Sequence, residues 1–370
     1  MNQTAVSQRL YSLDALRGFD MLMIMGLGSI ITNFAKATGS PFFQTIADQF
    51  EHPEWNGFHL YDLIFPLFIF LAGVAIPYSL GRQLEKGAPK QEMLAKVIRR
   101  GLILVILGIV YNNGLKIQPI SEIRFGSVLG RIGCAYMFAA IIYIFTRQRA
   151  QYIWFLGLLI GYWLLLKFNS APGFPRGDLT MEGNLTSYVD RLLMPGKLYL
   201  GIHDPEGLLS TIPAIGNGLL GIFAGNLLKN NLAMRPTGKA LLLLVAGFVF
   251  ILLALIWNLD FPINKNLWTS SFVLLTGGIS LALLSVFYYI IDVRNHKKWA
   301  FFLKVIGMNS ILIYISGHFI DWQYSTNSLF QWLGQLVGDP FGVVVLSVCL
   351  LFIKWIFLYF LYNKKFFLRV

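Results

Sequence analysis

Charged residues are scarce in this sequence, and cysteine is nearly missing. Of its 370 residues, 13% are charged and 56% are hydrophobic, whereas a soluble domain carries roughly a quarter charged residues. Cys134 and Cys349 are the two cysteines. They provide neither a disulfide framework nor a spacing that suits a metal. This composition excludes an ordinary soluble protein and is typical of a chain buried in lipid.

The apolar residues come in long runs, each close to the roughly 20 residues that cross a bilayer as a helix. We therefore predict an all-α, polytopic transmembrane helical bundle in one domain over residues 1–370, with about ten spanning helices. The predicted spans are 15–35, 59–81, 99–116, 126–146, 150–168, 208–228, 239–257, 268–291, 301–320 and 340–362. The long polar segment 169–207 predicts an irregular extracytoplasmic loop with short helices at most.

Basic residues indicate the orientation, because Lys and Arg of short loops stay in the cytoplasm. The clearest cluster follows span two and comprises Arg82, Lys86, Lys90, Lys96, Arg99 and Arg100. Four further loops or tails agree with it, so both termini are expected in the cytoplasm. This topology accounts for the net charge of +12 without nucleic acid. The alternative is that part of the inner basic face also holds an anionic ligand such as a nucleotide.

Polar residues at helix ends mark candidate functional sites, because ionisable groups are costly at membrane depth. Most of them fall at predicted outer ends: His52, Trp55, Asn56, Asp62, Arg124, Arg131, His203, Asp204, Glu206, Asn264, Lys265, Asn266, Trp268, Ser270, Ser271, Asn309, His318 and Asp321. They come from five separate parts of the chain and predict one polar cavity that opens outward. A second group at the inner end of span one contains Asp14, Arg17 and Asp20.

Structural roles are open for several of these residues. Asp204 and Glu206 would serve equally as N-terminal caps of the sixth span. Trp55 and Trp268 fit the aromatic belt of a membrane interface, and Lys265 can extend its ammonium to the head groups.

A structural role explains Arg17 more readily than it explains Arg131. Arg17 fits the cytoplasmic excess of positive charge. Arg131 lies several residues inside an apolar span, so it needs a carboxylate or an anionic ligand.

Two sets of glycines have the spacing of close helix packing, Gly157 with Gly161 and Gly221 with Gly225. We expect both sets to pack within the chain, and a homodimer stays open as an alternative.

Six segments in order resemble the heparan-α-glucosaminide N-acetyltransferase family and its bacterial relatives. They are RLYSLDALRG (9–18), HPEWNG (52–57), DLIFPLFIFLAG (62–73), GSVLGRIG (126–133), DPEGLLSTIP (204–213) and NKNLWTSS (264–271). The resemblance covers nearly the whole membrane region. It implies a transmembrane acetyltransferase that moves an acetyl group from cytoplasmic acetyl-CoA to a glucosamine-type sugar on the other side.

The resemblance also implies roles for individual residues. His52 stands where the family has its active-site histidine, as a general base or a transient acetyl acceptor, and Asp62 would orient it. The family also has an asparagine near the outer end of the first helix. This sequence has Gly26 to Ser29 there, so that role is not carried over.

Under this hypothesis, the remaining site residues divide into two groups. The substrate-binding candidates are Trp55, Asn56, Asp204, Glu206, Lys265, Trp268, Ser271 and His318. The candidates for acetyl-CoA are Arg17, Arg99, Arg100 and Arg131, because guanidinium donates two parallel hydrogen bonds to phosphate. No metal and no nucleic acid is expected, lipid surrounds the helices, and the expected location is a bacterial inner membrane.

Two rival functions remain open from the sequence. A multipass transporter of an amino sugar or a related small solute would have much the same composition, although the chain lacks the internal repeat that transporters often show. An acyltransferase with another donor, or with a hydroxyl acceptor, is the second. One-step transfer and an acetyl-histidine intermediate are not distinguished.

Overall fold

The computed structural model describes residues 10–116, 118–230 and 234–368. Arg9 of the first motif lies outside these ranges. The described chain forms fourteen helices. They are α1 (Tyr11–Thr38), α2 (Pro41–Asp48), α3 (Leu60–Glu85), α4 (Lys90–Asn113), α5 (Val128–Phe145), α6 (Gln148–Phe168), α7 (Leu185–Leu193), α8 (Thr211–Lys229), α9 (Pro236–Trp257), α10 (Ser270–Val293), α11 (Phe301–Gly307), α12 (Ser310–Phe319), α13 (Trp322–Val337) and α14 (Phe341–Asn363).

The prediction of a helical, multi-pass membrane protein is confirmed. In the described residues, eight helices are long and apolar enough to span a bilayer, or nine if the bent pair α11–α12 is one span. This is fewer than the expected ten. The difference is α4, which covers the predicted span 99–116 but keeps Lys96, Arg99 and Arg100 in even its most apolar 18 residues. Helix α13 lies between the predicted spans 301–320 and 340–362, where no span was expected.

The described residues group into two compact units. The first unit comprises 10–50, 234–244 and 282–368, and the second comprises 51–116, 118–230 and 245–281. In the first unit, α1 packs on α11, and α13 and α14 form a hairpin. In the second, α3 packs on α8, α4 on α5, and α5 and α6 both contact α8.

Close packing of α3 on α8 depends on glycine. A Cβ on Gly221 would lie 2.0 Å from the carbonyl oxygen of Phe70, and a Cβ on Gly225 would lie 2.5 Å from that of Val74. The prediction that this glycine pair packs within the chain is therefore confirmed. It is wrong for Gly157 and Gly161, where a Cβ meets no described atom within 4 Å, because that face of α6 is exposed.

Helix α1 is kinked at Gly26, whose backbone is not helical. Its segment Met23–Leu27 is a π-helix in which Gly26 has φ 156°, a backbone conformation that glycine adopts readily and other residues rarely do. Such π segments inside α-helices are frequent at functional positions.

Gly221→Ala should lower the thermal stability of the purified protein, whereas Gly157→Ala should not. The added methyl group at position 221 has to displace the α3 backbone, and overpacking of this kind costs roughly 1–3 kcal/mol. The two variants make the same chemical change in spanning helices, so a thermal melt in one detergent compares them directly. Equal midpoints would contradict the packing described for α3 and α8.

Candidate active site

The loop before α3 brings an imidazole onto a buried carboxylate. His52 Nδ1 lies 2.7 Å from Asp62 Oδ1, and the other carboxylate oxygen accepts the backbone N–H of His59 at 3.0 Å. The side chain of Asp62 is fully buried, while that of His52 is 47% exposed. His59 in turn lies 2.9 Å from the carbonyl oxygen of Glu51 through its own ring. The fixed group is thus the carboxylate, and the reachable group is the imidazole.

This contact determines which ring nitrogen of His52 carries the proton. An ionised carboxylate only accepts hydrogen bonds, so Nδ1 donates its proton to Asp62. The lone pair of the neutral ring then lies on Nε2, which is the atom available to take a proton or to attack a carbonyl carbon.

Lys265 completes a three-residue cluster with these two groups. Its Nζ lies 2.8 Å from His52 Nε2, 3.1 Å from His52 Nδ1 and 3.5 Å from Asp62 Oδ1. The ammonium thus lies directly against the imidazole and within hydrogen-bond distance of Nε2. Burial lowers the pKa of Lys265, against the raising effect of Asp62 and Glu206.

A tight turn before α10 positions Lys265. The side chain of Asn264 accepts the backbone N–H of Leu267 at 2.8 Å, and its carbonyl oxygen accepts that of Thr269 at 3.1 Å. Asn264 also donates to the side-chain oxygen of Asn56 at 3.1 Å. The turn is therefore attached directly to the loop that carries His52.

Arg131 is buried beneath this turn and is incompletely paired. It is 2% exposed, and its Nη2 donates to the hydroxyl of Ser210 and, at 3.4 Å, to the carbonyl oxygen of Gly207. Its Nε and Nη1 have no hydrogen-bond partner among the described residues. Unpaired buried donors are costly, so this guanidinium fits an oxygen atom of a ligand.

Trp268 packs against Arg131 in a strained conformation. The guanidinium carbon lies 4.7 Å from the indole ring centre, within the range of a cation–π contact. The indole N–H donates to Asn217 Oδ1 at 3.0 Å, and the residue is fully buried with φ 52°. A positive φ is unfavourable for a bulky residue and is typical of functional sites.

Arg124 neutralises the acidic pair that precedes α8. It donates to both carboxylate oxygens of Asp204, at 2.9 and 3.0 Å, and also to Glu206. Burial raises the pKa of Asp204, but the hydrogen bonds and the charge of Arg124, together with the backbone N–H groups of Glu206 and Tyr199, lower the pKa overall. Burial raises the pKa of Glu206 despite the nearby Arg131 and Arg124. Arg124 thus pairs with both carboxylates, and Glu206 is the one whose pKa burial raises overall.

The other predicted site residues lie in different surroundings. Trp55 donates to the carbonyl oxygen of Leu179 at 2.9 Å, and the hydroxyl of the buried Ser271 donates to that of Phe261 at 2.6 Å. Arg99 is exposed on α4, and the Arg100 guanidinium lies 4.4 Å from the ring centre of Tyr136.

Two predicted residues belong to the first unit. Arg17 is half-buried on α1, and His318 lines a cavity at the end of α12. The second unit brings together His52, Asp62, Asn56 and Lys265, with Arg131 and Trp268 below them.

Three functional-site neighbours were missed or underweighted by sequence reasoning. Asn217 is a lone amide in the apolar α8, and its depth in a span was a usable signal. Arg124 was noted, but its acidic partners lie about eighty residues away along the chain. Asp190 lies in the long loop, where nothing in the local pattern distinguishes it.

Asp190 and His203 are both buried in that loop, and each has one polar side-chain atom with a hydrogen-bond partner and one without. Asp190 Oδ1 accepts the backbone N–H of Leu208 at 2.8 Å, and His203 Nδ1 lies 2.7 Å from the hydroxyl of Ser187. Asp190 Oδ2 and His203 Nε2 have no described partner. Burial raises the pKa of Asp190 to about 6 and lowers the pKa of His203 to about 4.

Comparisons with known proteins find relatives over nearly the whole chain. The chain is 28% identical to human heparan-α-glucosaminide N-acetyltransferase over an alignment 431 positions long including gaps, which covers 99% of this chain and 61% of that protein. Its mouse counterpart is also 28% identical, with 98% and 61% covered. The chain is related to the heparan-α-glucosaminide N-acetyltransferases. A family model described as a domain of unknown function (DUF5009) also matches residues 9–175.

The family resemblance expected from the motifs is thereby confirmed over nearly the whole chain. The chain spans about six-tenths of the length of these curated relatives. His52 and Asp62 lie within the regions matched by both the family model and the human relative.

Asp190→Asn and His203→Gln should change the pH dependence of stability in opposite directions. Asp190 contributes to stability in its protonated form, and this contribution is lost as the pH rises from the ordinary pKa of an aspartate, 3.8, towards 6. His203 must be neutral when buried, so its contribution is lost as pH falls from 6.5 towards 4. Each effect is worth about 3 kcal/mol at 1.36 kcal/mol per pKa unit.

The two effects largely offset each other in the native protein. Thermal melts between pH 4 and pH 6.5 should therefore show stability rising with pH in Asp190→Asn and falling with pH in His203→Gln. Parallel pH profiles for both variants would contradict the buried pair.

Proposed function

We propose that this protein is a membrane acetyltransferase that moves an acetyl group from acetyl-CoA to the amine of a glucosamine-type sugar. The observation that carries the proposal is His52, which is fixed through Nδ1 on the buried Asp62 while its side chain is 47% exposed. Relatedness to enzymes named for N-acetylation of heparan-α-glucosaminide supports the reaction class. Cytoplasmic acetyl-CoA and an extracytoplasmic sugar follow from the orientation that the basic loops predict.

In the one-step route, His52 Nε2 takes a proton from the sugar amine as the amine nitrogen bonds to the acetyl carbon. The carbon–sulfur bond breaks, and the proton held on Nε2 passes to the departing thiolate. In the two-step route, Nε2 first bonds to the acetyl carbon and releases the thiolate. The amine then attacks the acetyl carbon, the bond from this carbon to Nε2 breaks, and the restored Nε2 takes the proton that the amine nitrogen loses; this proton then passes to solvent, from which the thiolate is protonated. Either route uses the Nε2 lone pair, so the ammonium of Lys265 has to yield this atom to the incoming group.

Asp62 and Lys265 support His52 in different ways. Asp62 is fully buried and holds the Nδ1 proton, so it positions the ring and stabilises positive charge that develops on it. The ammonium of Lys265 lies within 3.1 Å of the imidazole and can stabilise the oxygen that becomes negative as the acetyl carbon is attacked. A lowered pKa of Lys265 also lets it exchange a proton more readily.

Arg131 is the strongest candidate for contact with the donor, because two of its buried guanidinium nitrogens lack a described partner. Arg17, Arg99 and Arg100 remain proposed phosphate contacts on the predicted cytoplasmic side. Asn56 and Glu206 are proposed to contact the sugar. Asp204, Trp268 and Ser271 are already hydrogen-bonded inside the protein, so we assign them to shaping the site.

A transporter of an amino sugar or a related small solute is the alternative. The bend of 65° between α11 and α12 favours it, because broken spans often form the binding sites of transporters. Transport predicts solute flux in vesicles without acetyl-CoA, whereas acetyl transfer predicts release of free CoA thiol.

Thiol release from acetyl-CoA with and without glucosamine tests the proposal. His52→Ala should reduce sugar-dependent release roughly 100-fold or more, because it removes the group that takes the proton. Asp62→Asn should also reduce it, since an amide no longer fixes the Nδ1 tautomer. The matched control is His296→Ala, which removes an exposed histidine of the first unit.

Folding of each variant is checked by its thermal melt. Equal release in His52→Ala and His296→Ala would remove His52 from the mechanism. No release by the folded native protein with any amino sugar would overturn acetyl transfer and favour transport.

A further inference from the structure

Helix α14 carries a lysine deep within a membrane-spanning segment. Lys354 lies thirteen residues after Phe341 and nine before Asn363, which places it about 20 Å and 14 Å from the two helix ends at 1.5 Å per residue. An ionisable side chain at this depth is costly and is normally retained for a function.

The ammonium of Lys354 is held by an irregular part of α1. Its Nζ donates to the carbonyl oxygen of Met25 at 2.8 Å, within the π-helical segment that contains Gly26. Among the described residues, no carboxylate approaches Nζ within ion-pair distance. When protonated, the ammonium has one neutral carbonyl group as its described partner, and its remaining N–H groups are available to a ligand.

The chain is also broken at the same level between α12 and α13. Helix α12 ends at Phe319, and α13 begins at Trp322. The Trp322 ring centre lies 5.4 Å from that of Phe357. Because Phe357 is less than one helical turn from Lys354 on α14, the break lies close to the level of this lysine. Non-helical backbone at membrane depth is tolerated where it lines a cavity or is buried in protein.

A cavity of about 530 Å³ joins these features within the first unit. Its polar lining includes His318, Asp321 and Lys354, and its apolar lining includes Ile320 and Leu350. The carboxylate of Asp321 already accepts the backbone N–H of Tyr324 at 2.8 Å as the cap of α13. Asp321 thus serves its own helix, and no ion pair joins its carboxylate to Lys354 among the described residues.

We propose that this cavity binds an amphiphile with an acidic head group, placing its carboxylate or phosphate at Lys354 and its hydrocarbon against Phe319, Ile320 and Leu350. A charge-assisted hydrogen bond to an anion satisfies the ammonium. The apolar wall accepts an alkyl chain at the depth where lipid chains lie. This site is separate from the cluster around His52 and does not depend on the proposed acetyl transfer.

Trp322 provides the readout, because it lines the cavity. The protein is placed in nanodiscs of zwitterionic lipid at pH 8 and titrated with a fatty acid brominated along its chain. The contribution of Trp322 is the difference in quenching between the native protein and Trp322→Phe. We expect saturable quenching by the acid, and half-saturation by the corresponding brominated alcohol at a roughly tenfold higher concentration, the loss of one charged contact.

Variants at position 354 separate charge from shape. Lys354→Met should weaken the acid roughly tenfold, to the level of the alcohol, and Lys354→Arg should keep acid and alcohol distinguishable. The arginine variant also controls for loss of the link to Met25. Equal quenching by acid and alcohol in the native and Lys354→Arg proteins would overturn the proposal, since the probes would then report only partition into the bilayer.

A brominated lysophosphatidic acid compared with the fatty acid distinguishes the two head groups. Stronger quenching by the phosphate probe assigns a phospholipid-type ligand, and stronger quenching by the carboxylate probe assigns a fatty acid. Either order supports the site.

Discussion

The hydrogen bond between His52 and Asp62 joins a loop to the first turn of a buried spanning helix. A carboxylate in that position cannot be left alone, because an unpaired charge removed from water is strongly unfavourable. Asp62 meets this constraint with an imidazole, a backbone N–H and a neighbouring ammonium. The pairing that makes burial of Asp62 tolerable is therefore the same pairing that orients His52, so stability and chemistry depend on one contact.

The surrounding elements keep this contact in place. The glycines of α8 let α3 approach closely, which fixes the helix whose start carries Asp62. The turn at Asn264 places Lys265 against the imidazole and is attached to the His52 loop through Asn56. Arg124 neutralises Asp204 beside Glu206, so the acidic segment before α8 can lie near Arg131 without an excess of negative charge. Each of these side chains is paired mainly with partners distant in sequence.

That distance explains what the sequence could and could not predict. Apolar runs predicted the spanning helices, because length and hydropathy are local properties. The motif around His52 predicted its partnership with Asp62, ten residues away. The pairing of Arg124 with Asp204, and the opposed burial of Asp190 and His203, depend on loop packing that no local pattern records. The π-helical segment at Gly26 and the break before Trp322 were also missed, since hydropathy averages over a window and is blind to backbone irregularity.

The position of Trp268 imposes two requirements, one on the backbone and one on the side chain, that no single amino acid satisfies fully. Its backbone conformation suits glycine or asparagine, whereas its surroundings require a large ring with a hydrogen-bond donor that reaches Asn217 and lies against Arg131. A substitution that relieves the backbone empties the pocket, and one that fills the pocket keeps the strain. Single substitutions at this position are therefore unfavourable for the backbone or for the packing. A tolerated change would require Asn217 or the turn itself to change first.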